Sequence, residues 1–242
     1  MTFKIPKLIN NYKNYKRSNF NDSKIRLLER FKKNKINLKF KIGDLILIFG
    51  TLNYFAAVKT LGKVKIEAID FCDRPNFLPK NIRYRKIRKQ KFPYPDNYFK
   101  FVFVNGILSH LPNTKDYFSE IYRVLTSGGS AWINLYGSSH FRTITSKIAK
   151  KFNKYDLIKI KKILFYHNWD AGKTNFILNL LNKSDSYTFK KNQIEKLILD
   201  SGFRDFKFCH RGYRTDLNEQ IYRNKNLKKI FNNGDLRYLI YK

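Results

Sequence analysis

Three residues of this chain pair a reactive or permissive chemistry with a position that a fold can exploit. Asp70 closes the apolar stretch Lys65–Ile69, which reads as a strand. A carboxylate at a strand tip can accept both hydroxyls of a ribose at once, whereas the plainer role of an Asp there is to start an Asx turn. Gly50 follows the continuous apolar run Leu45–Phe49 and opens a strand-to-helix turn. At such a turn a glycine lets backbone approach a ligand, and a helix N-terminus faces it. The spacing of Asp70 from Gly50 favours the ribose reading over the Asx turn. His110 lies in the loop Asn105–Pro112. An imidazole there can take a proton from an oxygen or nitrogen, although a hydrogen-bonded structural role is the simpler account.

The elements that must position these residues are clearest between Phe92 and Leu135. A turn built on Pro93, Pro95 and Asp96 releases the apolar run Phe99–Val104, and a loop follows to Pro112. An amphipathic helix then places Tyr117, Ile121, Val124 and Leu125 on one face. Gly128 and Gly129 are expected to end that helix where a left-handed residue is needed, and Ser130–Tyr136 to return as a second buried strand. This is a βαβ crossover. Upstream, Asn21, Asp22 and Ser23 suit the start of a leading helix whose face is Ile25, Leu28 and Phe31. Downstream, Thr188 caps a helix with Ile194, Leu197 and Ile198 inward, Gly202 closes it, and Phe203–Cys209 forms a strand. Gly234–Tyr241 supplies a last edge strand.

The same unit resembles the second half of class I S-adenosylmethionine-dependent methyltransferases, in particular the type 11 group. The residues that carry the resemblance are Phe92-Pro93-Tyr94-Pro95-Asp96, Ile107-Leu108-Ser109-His110-Leu111, and Glu120-Ile121-Tyr122-Arg123-Val124-Leu125 running on to Gly128-Gly129. Lys100 stands where the family usually has the Asp of its F-D-x-V. The resemblance implies a Rossmann-like, mostly parallel seven-stranded α/β sheet with a helical lid insertion over about residues 138–186. It also implies S-adenosylmethionine as cofactor, held by Gly50, Thr51, Asp70, Phe71, Gln90 and Asn105. In the family's first motif an acidic residue precedes glycines spaced G-x-G-x-G. Here Ile48 takes the acidic position, and Leu52 and Tyr54 take the later glycines. Loss of that carboxylate removes a charged hydrogen bond, at about 1–3 kcal/mol. The third-strand acidic residue that reads adenine is also missing from Arg85–Lys91, which leaves backbone or Gln90 for that role.

Composition sets the outer bounds. The 242 residues suit one α/β domain (37–242) preceded by a basic arm and helix (1–36). No apolar run approaches the ~18 residues of a membrane span, and two cysteines with four histidines, unclustered, offer neither a zinc site nor a disulfide framework. A cytoplasmic protein with no metal is expected. Fifty Lys and Arg against 18 Asp and Glu give a formal charge of +32. AT-biased coding explains part of that excess but not the scarcity of Asp and Glu. A field of this size attracts the phosphates of nucleic acid or of an anionic membrane. After Cys209, the residues His210, Arg211, Tyr213 and Asp216 form a polar cluster that lines a substrate pocket or an ordinary exposed loop.

Two functions follow. One is transfer of a methyl group to a small-molecule or sugar-like acceptor lying under the lid, with His110 the one candidate catalytic residue. The other is a catalytically inactive protein of the same fold, acting as a basic RNA-associated or scaffold subunit.

Overall fold

The computed structural model describes residues 18–50, 64–75, 78–138, 162–163, 166 and 187–242. The elements in chain order are α1 (Ser18–Lys33), β1 (Leu45–Gly50), β2 (Lys65–Asp70), β3 (Arg83–Lys86), β4 (Phe99–Asn105), a 3-10 turn (Ile107–His110), α2 (Thr114–Val124), β5 (Leu125–Tyr136), α3 (Lys191–Asp200), β6 (Asp205–Phe208), α4 (Leu217–Arg223), α5 (Lys225–Phe231) and β7 (Asp235–Tyr241). One seven-stranded sheet runs in the order β3-β2-β1-β4-β5-β7-β6. Strands β3 to β5 pair in parallel, and β7 runs antiparallel to both β5 and β6.

The near-continuous apolar content of β1 and β4 follows from burial on both sheet faces. On one face Leu47, Phe49, Val102 and Val104 pack against Tyr117, Phe118, Ile121 and Val124 of α2 and Ile194 and Ile198 of α3. On the other, Ile46, Ile48, Phe101, Phe103 and Trp132 meet Leu27 and Phe31 of α1. The Phe31 ring stands edge-on to Trp132 at 5.1 Å. The βαβ unit is present as expected, with β4 and β5 parallel neighbours.

The structure corrects four local expectations. Of the expected face of α1, Phe31 is buried while Ile25 and Leu28 stay exposed; Leu27 and Arg30, with Asn34 just beyond the helix, are buried instead, so the helix is rotated away from the expected stripe. Helix α2 stops at Val124, before the glycines, because Leu125 already pairs with Phe99 in extended conformation. Residues 126–129 then bulge opposite Lys100, and pairing resumes at Phe101 with Ser130. Gly128 does adopt a left-handed φ of +67°, but within that bulge. The Lys100 ammonium donates to the Gly128 carbonyl at 3.0 Å, which gives the lysine at this position a structural task. The cap of α3 is Lys190, whose amide donates to Gln193 Oε1 at 3.0 Å, rather than Thr188. Finally, β7 lies inside the sheet and β6 forms the edge.

Candidate active site

In an open, largely parallel sheet ligands bind beyond the carboxyl ends of the strands, where the strand order reverses. That reversal falls between β1 and β4, and its last paired residues are Gly50 and Asn105. Gly50 has φ of +90°, and a Cβ there would lie 2.6 Å from the Cβ of Ile107. Only glycine therefore lets β1 end against the turn that follows β4. Asn105 is half-buried, and its Oδ1 accepts a 2.8 Å hydrogen bond from Asn134 Nδ2 on β5.

Asp70 ends β2 at the same edge and is 1% exposed. Its Oδ1 accepts from the Phe71 amide at 2.7 Å, while Oδ2 finds no partner among the described residues. Burial pushes its carboxyl up to about 6, with the Phe71 and Cys72 amides pulling it back only in part. A buried carboxylate oxygen without a donor is costly, and a ribose hydroxyl is the kind of group that would satisfy it. Beside it, burial and then the Asp70 charge push the Cys72 thiol up to about 11, which keeps it protonated and unreactive.

The other expected residues are distributed unevenly. Phe71 turns its ring into the core, 6.1 Å from Phe49 and 6.4 Å from Tyr117, so its amide is the part directed to the site. Gln90 is half-buried in the turn after β3, at the same sheet edge. Ile48, at the position expected to be acidic, is fully buried against α1. Thr51, Leu52 and Tyr54, and nearly all of the lid, lie outside the described residues.

On the β5 side, His110 Nε2 lies 3.5 Å from the Tyr136 hydroxyl, with the rings edge-on. The Tyr136 amide donates to Ser109 Oγ at 2.9 Å. Both ends of the 138–186 segment are fastened here: Ser138 donates to the Phe189 carbonyl at 2.9 Å, and Tyr187 to the Ser109 carbonyl at 2.7 Å. Asn134 and Tyr136 were not foreseen as site residues. The signal for Asn134 was available, since it is an uncharged polar residue inside the apolar run Ala131–Leu135.

The cluster after β6 has a different task. Asp216 accepts from Arg30 at 2.6 Å through both oxygens and pairs with Arg237 at 3.1 Å, its side chain 7% exposed. Glu219, buried, takes Arg211, Lys33 and Arg223. These residues bind α1 to the sheet. A cleft of about 310 Å³ opens at the opposite end of the sheet, at the starts of β1, β2 and β3, among Leu45, Lys65, Glu67 and Arg83. It is remote from Asp70 and Asn105. Among the described residues there is no group of three or more His, Cys, Asp or Glu placed to hold a metal, and no helix long and apolar enough to cross a membrane.

Residues 64–133 match the family model described as a methyltransferase domain. Over 111 residues the chain is 31% identical to phosphoethanolamine N-methyltransferase 2 of Caenorhabditis elegans, a match that covers 43% of this chain and 23% of that protein. The chain thus spans about a quarter of the length of this curated relative. Among solved structures, a SAM-dependent methyltransferase of Archaeoglobus fulgidus superposes with a TM-score of 0.55 at 15% identity, over 90% of this chain and 94% of that one. One from Thermotoga maritima gives 0.55 at 13%, over 92% of both chains. Phosphoethanolamine N-methyltransferase 2 of Haemonchus contortus, solved with S-adenosyl-L-methionine, gives 0.52 at 16%, over 92% of this chain and 52% of that one.

Proposed function

From the premise that the chain has the fold and the domain signature of class I S-adenosylmethionine-dependent methyltransferases, we propose that it transfers a methyl group from S-adenosylmethionine to a small-molecule acceptor. The observation that carries this reading is Asp70: a fully buried strand-tip carboxylate with one oxygen that has no partner among the described residues, two strands from Asn105 and beside the Gly50 turn. When bound, S-adenosylmethionine supplies an already activated sulfonium methyl. The protein's own task is alignment and exclusion of water.

Asp70 would receive the ribose hydroxyls on Oδ2. The Gly50–Thr51 turn would approach the donor through backbone, Asn105 would flank it, and Gln90 would lie on the adenine side. His110 Nε2, oriented by Tyr136, is the group able to take a proton from the acceptor. The similarity to a phosphoethanolamine N-methyltransferase makes an amine nitrogen the first acceptor to assay, ahead of a sugar-like hydroxyl. The chain leaves the sheet at Ser138 and returns at Tyr187, both hydrogen-bonded beside Ser109 and Tyr136.

One observation favours a second reading, a protein of this fold without donor binding. Ile48, buried in the core, leaves the amino-acid end of the donor without its carboxylate partner. Calorimetric titration with S-adenosylmethionine and S-adenosylhomocysteine, with Asp70→Ala as comparison, separates the two. Micromolar binding abolished by the substitution is expected. No binding up to millimolar donor would leave the second reading standing.

A further inference from the structure

We propose that the α4–α5 excursion between β6 and β7 is a docking face for single-stranded nucleic acid. The inference does not depend on methyl transfer. Between Cys209 and Gly234 the acidic residues are Asp216 and Glu219, whose side chains are 7% and 1% exposed and are spent on Arg30, Arg237, Arg211, Lys33 and, at 3.4 Å, Arg223. The cations Arg214, Arg223, Lys225, Lys228 and Lys229 are all exposed. The carboxylates are thus turned inward and the surface of the segment is left with positive charge alone.

Helix α5 contributes no buried residue. Core packing gives no reason for it, yet it carries three of the five exposed cations. Beside it Tyr222 is 54% exposed, with the Arg211 guanidinium 3.8 Å from its ring centroid and the His210 ring at 5.7 Å. Exposed aromatic and guanidinium planes among lysines suit unpaired bases and their phosphates. Three exposed asparagines, Asn224, Asn226 and Asn232, add donors and acceptors for base edges. An anionic membrane is the poorer fit, because Tyr222 and Ile230 are the large apolar side chains the excursion exposes, and a surface-lying helix needs a broad apolar face. The excursion leads into β7, whose first residue pairs with Tyr136, so it sits at the sheet edge that carries Asp70 and Asn105.

The test is fluorescence anisotropy of the full chain with a labelled oligouridine of about 20 nucleotides, across a range of salt. Three substitutions together, Lys225→Glu, Lys228→Glu and Lys229→Glu, remove three phosphate contacts without touching a buried side chain. Each contact carries a salt slope of about −0.7 on single strands, so the triple variant should bind about 100-fold more weakly at about 0.1 M salt, with the slope shallower by about 2. Tyr222→Ala should cost about tenfold with the slope unchanged. A comparison variant with the same change in net charge, Lys196→Glu, Arg204→Glu and Lys207→Glu, alters exposed residues of α3, of β6 and of the turn just before β6. It should lose little, and circular dichroism checks that every variant folds. Equal losses in the two triple variants would reduce the effect to the overall charge and overturn the proposal. So would no oligouridine binding, or binding by phosphatidylserine vesicles that the α5 substitutions abolish while oligouridine binding persists.

Discussion

Asp70 carries two opposed demands on one carboxyl. Its ordinary value is 3.8 and burial raises it to about 6. Between these values the folded chain holds a proton that the unfolded chain releases. The associated stability is complete below the ordinary value and is lost as pH rises through about 6, about 3 kcal/mol in all. Ribose hydroxyls donate to the ionised form, so the pH that suits the empty protein disfavours the donor. Affinity for S-adenosylhomocysteine should therefore rise about tenfold between about pH 5 and pH 7, in step with ionisation. Asp70→Asn should bind weakly and without that pH dependence, and should remove the stability loss seen in thermal melts of the free protein over the same range. A full pH step in the Asn variant would mean that another group makes the contact.

Element by element, the unit from Phe92 to Tyr136 is held by a clamp that its motif residues explain. From α2, Glu120 accepts the Phe92 amide at 2.6 Å, while Arg123 donates to the carbonyls of Tyr94 at 2.8 Å and Phe92 at 3.1 Å and pairs with Glu120 at 2.7 Å. The turn that starts β4 is thereby fixed to the helix that follows it. Arg123→Met should cost about 2–3 kcal/mol, because it strands the Tyr94 carbonyl and takes from Glu120 its paired cation, and should lower the melting temperature by about 5–10 °C. The Asp96 pair adds little to this, since that carboxylate is 68% exposed. A variant that melts with the parent would show that apolar packing of Tyr117, Phe118 and Ile121 holds the unit alone. The periodicity of this stretch was legible because its partners are local. Where partners are distant the pattern failed. The two apolar stripes of α1, Ile25-Leu28-Phe31 and Leu27-Phe31, have equally good helical spacing. The choice is made by Arg30 and Asn34, which enter the interior because Asp216 and the Arg211 carbonyl, 186 and 177 residues away in sequence, receive them. Likewise the left-handed Gly128 was foreseen but placed at a helix end, since a register shift against Phe99 and Phe101 leaves no trace in one strand's own sequence. For the site, Gly50, Asp70 and Asn105 could be read from strand ends, whereas the Tyr136 and His110 pairing depends on the alignment of β5 with the turn after β4.

At the scale of the molecule, a chain of formal charge +32 has few carboxylates, and it uses two of them to close the fold across its whole length. Asp216 lies between Arg30 of α1 and Arg237 of β7, and Glu219 collects Lys33 from α1 along with Arg211. Burial alone would raise both carboxyls, but Arg237 and Arg30 hold Asp216 below its ordinary value, and Arg211, the Gly212 amide and Lys33 bring Glu219 down to about 2. Depressed carboxyls contribute stability that is present above their unfolded values and lost as pH falls through the folded ones. This acid flank, between about pH 4 and pH 2, is opposite in sign to the Asp70 flank. The free protein should accordingly be most stable at about pH 4–5, with Glu219→Gln flattening the acid side and Asp70→Asn the neutral side. Asp216→Asn leaves two guanidiniums facing each other without their carboxylate, at about 3–5 kcal/mol. Its effect should be regional, because the network joins α1 to the β7 side of the sheet. Hydrogen exchange in Ser18–Lys33 should quicken sharply while the amides of β1 and β4 keep most of their protection. If α1 keeps its parental exchange rates in Asp216→Asn, then Leu27 and Phe31 against Trp132 suffice to dock the helix, and the network serves instead to position the loop before α4.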